Sequence, residues 1–175
     1  MLRDSRWCRW GLSEQASRFN DLPGEEAERE LLAACASLRW AREVTQGRPY
    51  RDLDALLEAA DDAWWKLDPS DWLEAFAAHP RIGARGGHQP ESSDREQSRV
   101  MEAEATTRVA IDEENRKYEA RFGHVFLISA AGKTADEVLA AVRQRRHNDP
   151  DTELRVAAGE QARITRLRLE RMLSR

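Results

Sequence analysis

The sequence predicts a compact all-α domain, organised as a bundle of seven or eight helices. Apolar residues recur at helical spacing along almost the whole chain, and proline and glycine breakers divide this pattern into segments of helical length. Residues 121–128 differ from this helical pattern. They form an apolar, β-branched stretch that is entered through a glycine, and no partner strand is visible for them. We therefore predict an extended, buried connection there. At 175 residues, the chain is large enough for one well-buried domain.

The breakers place the helices in order. One helix is predicted over residues 24–44, after Pro23-Gly24 and before Gly47-Arg48-Pro49. A second starts near Asp52 and ends before Asp68-Pro69-Ser70, and a short helix then leads into His79. Residues 83–92 have no periodicity and are predicted as a loop. Further helices are predicted at about 93–104, 105–121, 134–146 and 151–173, with Thr134 as a cap and Asn148-Asp149-Pro150 as the last interruption.

Composition excludes several classes of protein. Charged residues make up 34% of the chain and hydrophobic residues 41%, but the net charge is only -4, so no basic footprint for nucleic acid is present. No apolar run approaches the length of a membrane span, and the first residues lack the apolar core of a signal peptide. Cys8 and Cys35 form neither a metal spacing nor a disulfide framework, so we expect a cytoplasmic protein.

His79 is the first candidate for chemistry. Proline disfavours the helical conformation for the residue before it, so His79-Pro80 should form a helix exit at which His79 has an extended backbone. Glycines at 83, 86 and 87 then allow the chain to approach a ligand closely. The pKa of a free histidine is near neutrality, which suits proton transfer. The simpler alternative is an ordinary helix end.

Ser93-Asp94-Arg95-Glu96-Gln97 has two compatible interpretations. Ser followed three residues later by Glu is a capping box, which satisfies free amides at a helix start. The same helix start presents donors to an anionic or carbonyl ligand, and Glu96 could reach the pocket of His79.

Arg168 occupies an apolar row of the last predicted helix. It is spaced by four residues from Ile164 and from Met172, whereas Arg163, Arg166 and Glu170 fall on a different, charged side. Its guanidinium could extend to water beside a buried stem. Alternatively, it could enter a pocket and bind a carbonyl or carboxylate.

Other chemical signatures are missing from the sequence. The four histidines show no His-x-x-x-His pair, so we predict no metal site. Neither a phosphate-binding glycine loop nor a Gly-x-Ser-x-Gly elbow occurs. If the chain is an enzyme, we expect it to need no cofactor.

The motifs, taken in order, resemble the OHCU decarboxylase family (2-oxo-4-hydroxy-4-carboxy-5-ureidoimidazoline decarboxylase) over roughly residues 12–173. The matching pieces are Phe19-Asn20, Arg48-Pro49-Tyr50, His79-Pro80-Arg81-Ile82-Gly83, Ser93-x-x-Glu96-Gln97, Asn115-x-x-Tyr118-x-x-x-Phe122-Gly123-x-x-Phe126, Arg145-x-x-Asn148 and Leu167-Arg168-Leu169. On this basis we assign residues 12–175 to one domain and leave residues 1–11 as an unassigned extension.

The resemblance implies an all-α homodimer that decarboxylates a small-molecule substrate to (S)-allantoin, the last step from urate, without a cofactor. By motif it implies that His79 and Glu96 are catalytic. The substrate contacts that it implies are Pro80, Ser93, Gln97, Arg168 and the backbone of Phe126, Leu127, Ile128, Ser129 and Ala130. Two alternatives stay open: a non-catalytic helical module that binds a carboxylated metabolite or a partner protein, and a ureido-compound hydrolase in which His79 and Glu96 activate water.

Overall fold

The described part of the chain is mainly α-helical. The structure, a computed structural model, describes residues 10–82 and 105–174. Within these ranges it contains eight α-helices and no strand, which confirms the all-α prediction. The helices are α1 Trp10–Asp21, α2 Gly24–Ala34, α3 Leu38–Gln46, α4 Leu53–Trp65, α5 Pro69–Ala77, α6 Ala105–Phe122, α7 Ala135–Arg145 and α8 Pro150–Leu173.

The predicted helix over residues 24–44 was wrong in one respect, because two helices occupy this stretch. The backbone of Cys35 is extended, and Ser37 starts α3 as an N-cap whose hydroxyl accepts a hydrogen bond from the Trp40 amide at 3.4 Å. A serine can satisfy a free helix amide in this way, so it favours a new helix start over continuation. The apolar periodicity runs through the break and hides it.

The other predicted helices in the described residues begin and end close to the predicted caps and breakers, whereas α1, Trp10–Asp21, was not predicted. Asp52 caps α4, and Thr134 forms a full capping box with Glu137 at the start of α7. Pro150 opens α8, where its missing amide proton costs no hydrogen bond. The helix predicted at about 93–104 lies outside the described residues. No described helix has the length and apolar character needed to cross a membrane.

The described residues group into two compact units. The first holds residues 10–71 and 165–174, and the second holds residues 72–82 and 105–164. In the first unit, α2 packs on α3, α3 on α4, and α1 on α4. Its core contains fully buried large side chains, which are Phe19, Leu31, Trp40, Leu56 and Leu169. In the second unit, α6 packs on α7 over a core that includes Ile82, Ile111, Tyr118, Phe126 and Val138.

Two of the sequence motifs bind each other in the first unit. The Asn20 side chain donates to the Tyr50 carbonyl at 2.7 Å and accepts from the Tyr50 amide at 2.8 Å. Arg48 donates to the carbonyls of Phe19 at 3.1 Å and Leu22 at 2.7 Å. A side chain at Gly47 would collide with the Tyr50 hydroxyl, so only glycine fits there. These motifs therefore have a structural role, which is to fasten the turn after α3 to the end of α1.

Candidate active site

The helix exit at His79 is formed as the sequence predicts. α5 ends at Ala77, and the last turn is tightened by bonds from the Ala78 amide to the Ala75 carbonyl at 3.3 Å and from the His79 amide to the Phe76 carbonyl at 3.1 Å. Both His79 and Pro80 are partly exposed. Because Pro80 has no amide proton and disfavours helix before it, the chain leaves α5 here.

Helix α6 binds Arg81 and Ile82, the two residues that follow the His79-Pro80 corner at the end of α5. The buried Asn115 side chain donates to the Ile82 carbonyl at 3.1 Å, and Ile82 packs in the core of the second unit. Arg81 forms a bidentate ion pair with Glu119, in which Nε lies 2.7 Å from Oε1 and Nη2 lies 2.6 Å from Oε2. The Arg81–Glu119 pair is partly solvated, so the buried Asn115 bond and the packing of Ile82 hold the corner more strongly.

The segment Phe126–Ala130 overlaps the extended, buried connection predicted over residues 121–128, but that prediction began too early, because residues 121 and 122 are the last two of α6. The segment has neither helix nor strand, and every member except the partly exposed Ser129 is buried. It begins after Gly123, whose φ of +76° ends α6 in a conformation that favours glycine. Two charged side chains hold its backbone: Arg145 donates to the Leu127 carbonyl at 2.6 Å, and Glu160 accepts from the Ser129 amide at 2.8 Å.

A buried polar network lies behind this segment. Glu153 is fully buried and forms an ion pair with Arg145, whose Nε lies 3.0 Å from Glu153 Oε1. The Tyr118 hydroxyl donates to the same carboxylate oxygen, and Asn148 donates to the other at 2.8 Å. The Arg145 guanidinium also lies 4.6 Å from the centre of the Phe126 ring. The Glu153 carboxylate therefore has donors on both oxygens, as a buried charge requires.

The electrostatics of the second unit follow from burial. Burial, followed by the hydrogen bond to Glu153, raises the pKa of Tyr118 far above its ordinary value, so the hydroxyl stays protonated. For Glu114, burial alone would raise the pKa. The bond from Lys117 and the charges of Arg146 and Arg143 outweigh that effect and lower it. Glu114 thus remains a carboxylate that links α6 to the end of α7 through Arg146 at 3.1 Å.

His124 belongs to an aromatic cluster of the core. Its ring lies 5.3 Å from Phe76 and 5.5 Å from Tyr118, measured between ring centres, and Nδ1 is 3.0 Å from the Val125 carbonyl oxygen. These contacts give His124 a packing role. In the described ranges, no group of three or more His, Cys, Asp or Glu side chains is arranged to hold a metal ion.

Arg168 lies in the part of α8 that belongs to the first unit, where it is half-buried. One guanidinium nitrogen is 3.4 Å from the Ala34 carbonyl oxygen, at the last residue of α2. A cation is favourable at a helix C-terminus. Its neighbours in the row are the buried Ile164 and the partly buried Met172. Arg166 is exposed and pairs with Asp61 and Glu170, so the predicted division of α8 into an apolar and a charged side is confirmed.

The predicted site residues fall into three groups. His79, Pro80 and the segment Phe126–Ala130 belong to the second unit, and Arg168 belongs to the first. The remaining predicted residues, Ser93, Glu96 and Gln97, lie outside the described residues. An open pocket of about 420 Å³ between α2 and α3 includes none of the predicted site residues. The roles assigned to all of these residues stay predictions.

Sequence reasoning missed Glu153 and Glu160, and it noted Arg145 only as part of a motif. A glutamate in a helix is normally taken to be solvated, and no local pattern distinguishes a buried one. The spacing of seven residues between the two glutamates places them on one face of α8. That face also carries the buried Ala157 and Ile164, which was the available signal.

The fold and the site define a class: an all-α protein with a histidine at a helix exit and a buried backbone segment held by charged side chains. Residues 20–170 match the model of the OHCU decarboxylase family. The chain belongs to this family.

Similar proteins from other organisms are consistent with this family. The chain is 35% identical over 156 residues to the "Uric acid degradation bifunctional protein TTL" of Arabidopsis thaliana, an alignment of 86% of this chain and 48% of that protein. It is 31% identical over 160 residues to the mouse 2-oxo-4-hydroxy-4-carboxy-5-ureidoimidazoline decarboxylase, covering 89% of this chain and 86% of the relative. The chain thus spans about half the length of the plant relative.

A solved structure has the same fold. It is a crystal structure of an OHCU decarboxylase in the presence of (S)-allantoin, with 33% sequence identity and a TM-score of 0.75. The match covers 83% of this chain and 98% of the other.

Proposed function

We propose that this chain decarboxylates 2-oxo-4-hydroxy-4-carboxy-5-ureidoimidazoline to (S)-allantoin and CO2. The observation that carries this proposal is the fold match, which covers nearly all of a decarboxylase solved in the presence of (S)-allantoin. The family match over residues 20–170 supports it, as does His79 at the end of α5 in the second unit.

The substrate's chemistry explains why no cofactor is expected. The bond between the quaternary carbon and the carboxylate breaks, CO2 leaves, and the electron pair moves into the adjacent imine-like carbon–nitrogen bond. The substrate therefore accepts the electrons itself, and a proton must then be added to the ring. The enzyme's task is to orient the carboxylate, stabilise the developing charge and supply that proton from one face. Delivery from a single face yields a single enantiomer.

His79 is the proposed proton donor, because a histidine is readily protonated and deprotonated near neutral pH. Glu96 would orient the imidazole or accept from the substrate hydroxyl. Pro80, Ser93, Gln97 and the backbone of Phe126–Ala130 would complete the binding site.

Arg168 would bind a ring or ureido carbonyl. Binding of the departing carboxylate by Arg168 would stabilise the ground state and oppose the reaction.

Two further expectations belong to the same proposal. Members of the family are expected to be homodimers, and we propose the same for this chain, which sedimentation would test. The cytoplasmic location is a prediction that depends on the cysteine usage of the sequence.

The proposal is tested by forming the substrate in place. Urate is oxidised, the first intermediate is hydrolysed enzymatically, and the product is followed by circular dichroism with and without this protein. Accelerated appearance of (S)-allantoin is the expected result. Racemic allantoin at the spontaneous rate would contradict the proposal and favour a binding module, whereas release of ammonia or urea would favour a hydrolase.

A further inference from the structure

We infer that Arg145 is a positioning residue of the decarboxylase site: it fixes and polarises the peptide between Leu127 and Ile128. This inference rests on the proposed function, in which the backbone of Phe126–Ala130 contacts the substrate. Arg145 acts through that backbone, because its guanidinium binds the Leu127 carbonyl at 2.6 Å and is itself almost completely buried.

The hydrogen bond from Arg145 to the Leu127 carbonyl is strong for a bond between a side chain and the backbone. The donor is charged and the acceptor is a peptide carbonyl in a water-poor environment, where a charge-assisted hydrogen bond is about twice as strong as a neutral one. A donor on a peptide carbonyl withdraws electron density from the whole amide, and hydrogen bonds in series strengthen one another. The amide of the same peptide belongs to Ile128. The Ile128 N–H therefore becomes a better donor toward any developing negative charge on a ligand.

The orientation of Arg145 is fixed from several directions. Its Nε binds Glu153, whose other donors are Tyr118 and Asn148, and its guanidinium packs against the Phe126 ring. Each of these partners is buried or partly buried. A guanidinium with so many fixed contacts has one orientation, so the Leu127 carbonyl has a fixed position as well.

A second side chain holds the segment two residues further on. Glu160, whose side chain is largely buried, accepts from the Ser129 amide at 2.8 Å, and its other carboxylate oxygen accepts from the exposed Arg163 at 2.6 Å. The Ile128 amide lies between these two fixed points, and neither bond uses it. A donor that is held in place before the ligand arrives needs no reorganisation during the reaction, which is the basis of electrostatic preorganisation.

The test compares two neutralised variants. The double variant Arg145→Gln/Glu153→Gln removes both buried charges together, so that neither is left unpaired. Arg143→Gln is the matched control, because Arg143 is on the same helix but exposed. Folding is checked by circular dichroism and thermal melting. The readouts are kcat, KM and the amide proton and nitrogen resonances of Ile128.

In the double variant, we expect kcat to fall about tenfold and KM to stay within about twofold, because the Ile128 amide is still present but is a weaker donor. Complete loss of such a donor would lower kcat by roughly 10²–10³-fold. The Ile128 amide resonances should move upfield in the double variant and stay in place in Arg143→Gln. An unchanged kcat in the folded double variant, or a change in KM alone, would overturn the inference.

Two further outcomes are distinguishable. If the double variant does not fold, Arg145→Lys replaces it. Lysine keeps the positive charge but lacks the planar guanidinium with its several fixed donors. A kcat below that of the parent, by less than about tenfold, supports the inference, whereas a kcat equal to that of the parent overturns it. If the unmodified protein makes no (S)-allantoin, the proposed function fails. The Ile128 resonances of the variants then still decide whether Arg145 polarises the peptide.

Discussion

Replacement of Glu153 by glutamine should destabilise the second unit strongly. Glu153 is fully buried, and its carboxylate is the acidic partner of Arg145. Glutamine keeps the size and one acceptor oxygen but leaves the guanidinium without a counter-charge. Removal of one member of a buried pair costs about 3–5 kcal/mol. Because the glutamine oxygen can still accept from Tyr118 or Arg145, we expect the lower end, about 3 kcal/mol.

The assay is equilibrium unfolding in urea, followed by circular dichroism, together with thermal melting. For a chain of this size, a loss of about 3 kcal/mol lowers Tm by roughly 6–12 °C. Glu170→Gln is the matched control, because Glu170 is on the same helix and forms a solvated ion pair with Arg166 at 3.3 Å. Its unfolding free energy should change by less than about 0.5 kcal/mol.

A loss below about 1 kcal/mol for Glu153→Gln would refute the reasoning. It would mean that the Arg145 guanidinium is not left as an uncompensated buried charge when its partner is neutralised. The double variant Arg145→Gln/Glu153→Gln gives an independent check. It should be less destabilised than the sum of the two single variants, since these side chains are in direct contact.

Three further predictions concern the rest of the chain. Both tyrosines have a raised pKa, chiefly through burial, so the folded state holds these protons while the unfolded chain releases them near pH 10. Stability should therefore fall as pH rises through that region, and tyrosinate absorbance should appear at a higher pH in the folded protein than in the urea-unfolded chain; the same titration midpoint in both states would contradict this. Asn20→Ala removes both bonds to Tyr50 and should cost about 1–3 kcal/mol in urea unfolding, with Ser17→Ala near zero as the exposed control. Arg168→Ala should lower kcat as well as kcat/KM; a raised KM with unchanged kcat would show that Arg168 contributes only uniform binding.

Much of the fold could be predicted because its signals are local. Asp52 and Thr134 mark helix starts through side-chain capping, and the Pro80 and Pro150 positions mark where helices end or begin. The extended connection was predictable as far as Ile128 from the apolar, β-branched residues 125–128 after Gly123, whereas its continuation through Ser129 and Ala130 was not. The break at Cys35–Ser37 was not, because the apolar periodicity continues across it and a single serine is a weak signal.

The site was predictable only in part, because its supporting contacts are long-range. The histidine before Pro80 can be seen in the sequence, and so can the arginine in an apolar row of α8. The buried Glu153 cannot, since its partners Tyr118 and Arg145 lie 35 and 8 residues away and each looks like a surface residue alone. Likewise, nothing local indicates that Asn115 binds the Ile82 carbonyl, 33 residues earlier.

The most direct test of the central claim is the decarboxylation rate of His79→Asn, measured by formation of optically active allantoin from substrate generated in place. His147→Asn, an exposed histidine of the same unit, is the control. If His79 is the proton donor, kcat should fall about 100-fold or more in His79→Asn and remain parental in His147→Asn. A rate for His79→Asn within about tenfold of the parent, with (S)-allantoin still the product, would contradict the assignment.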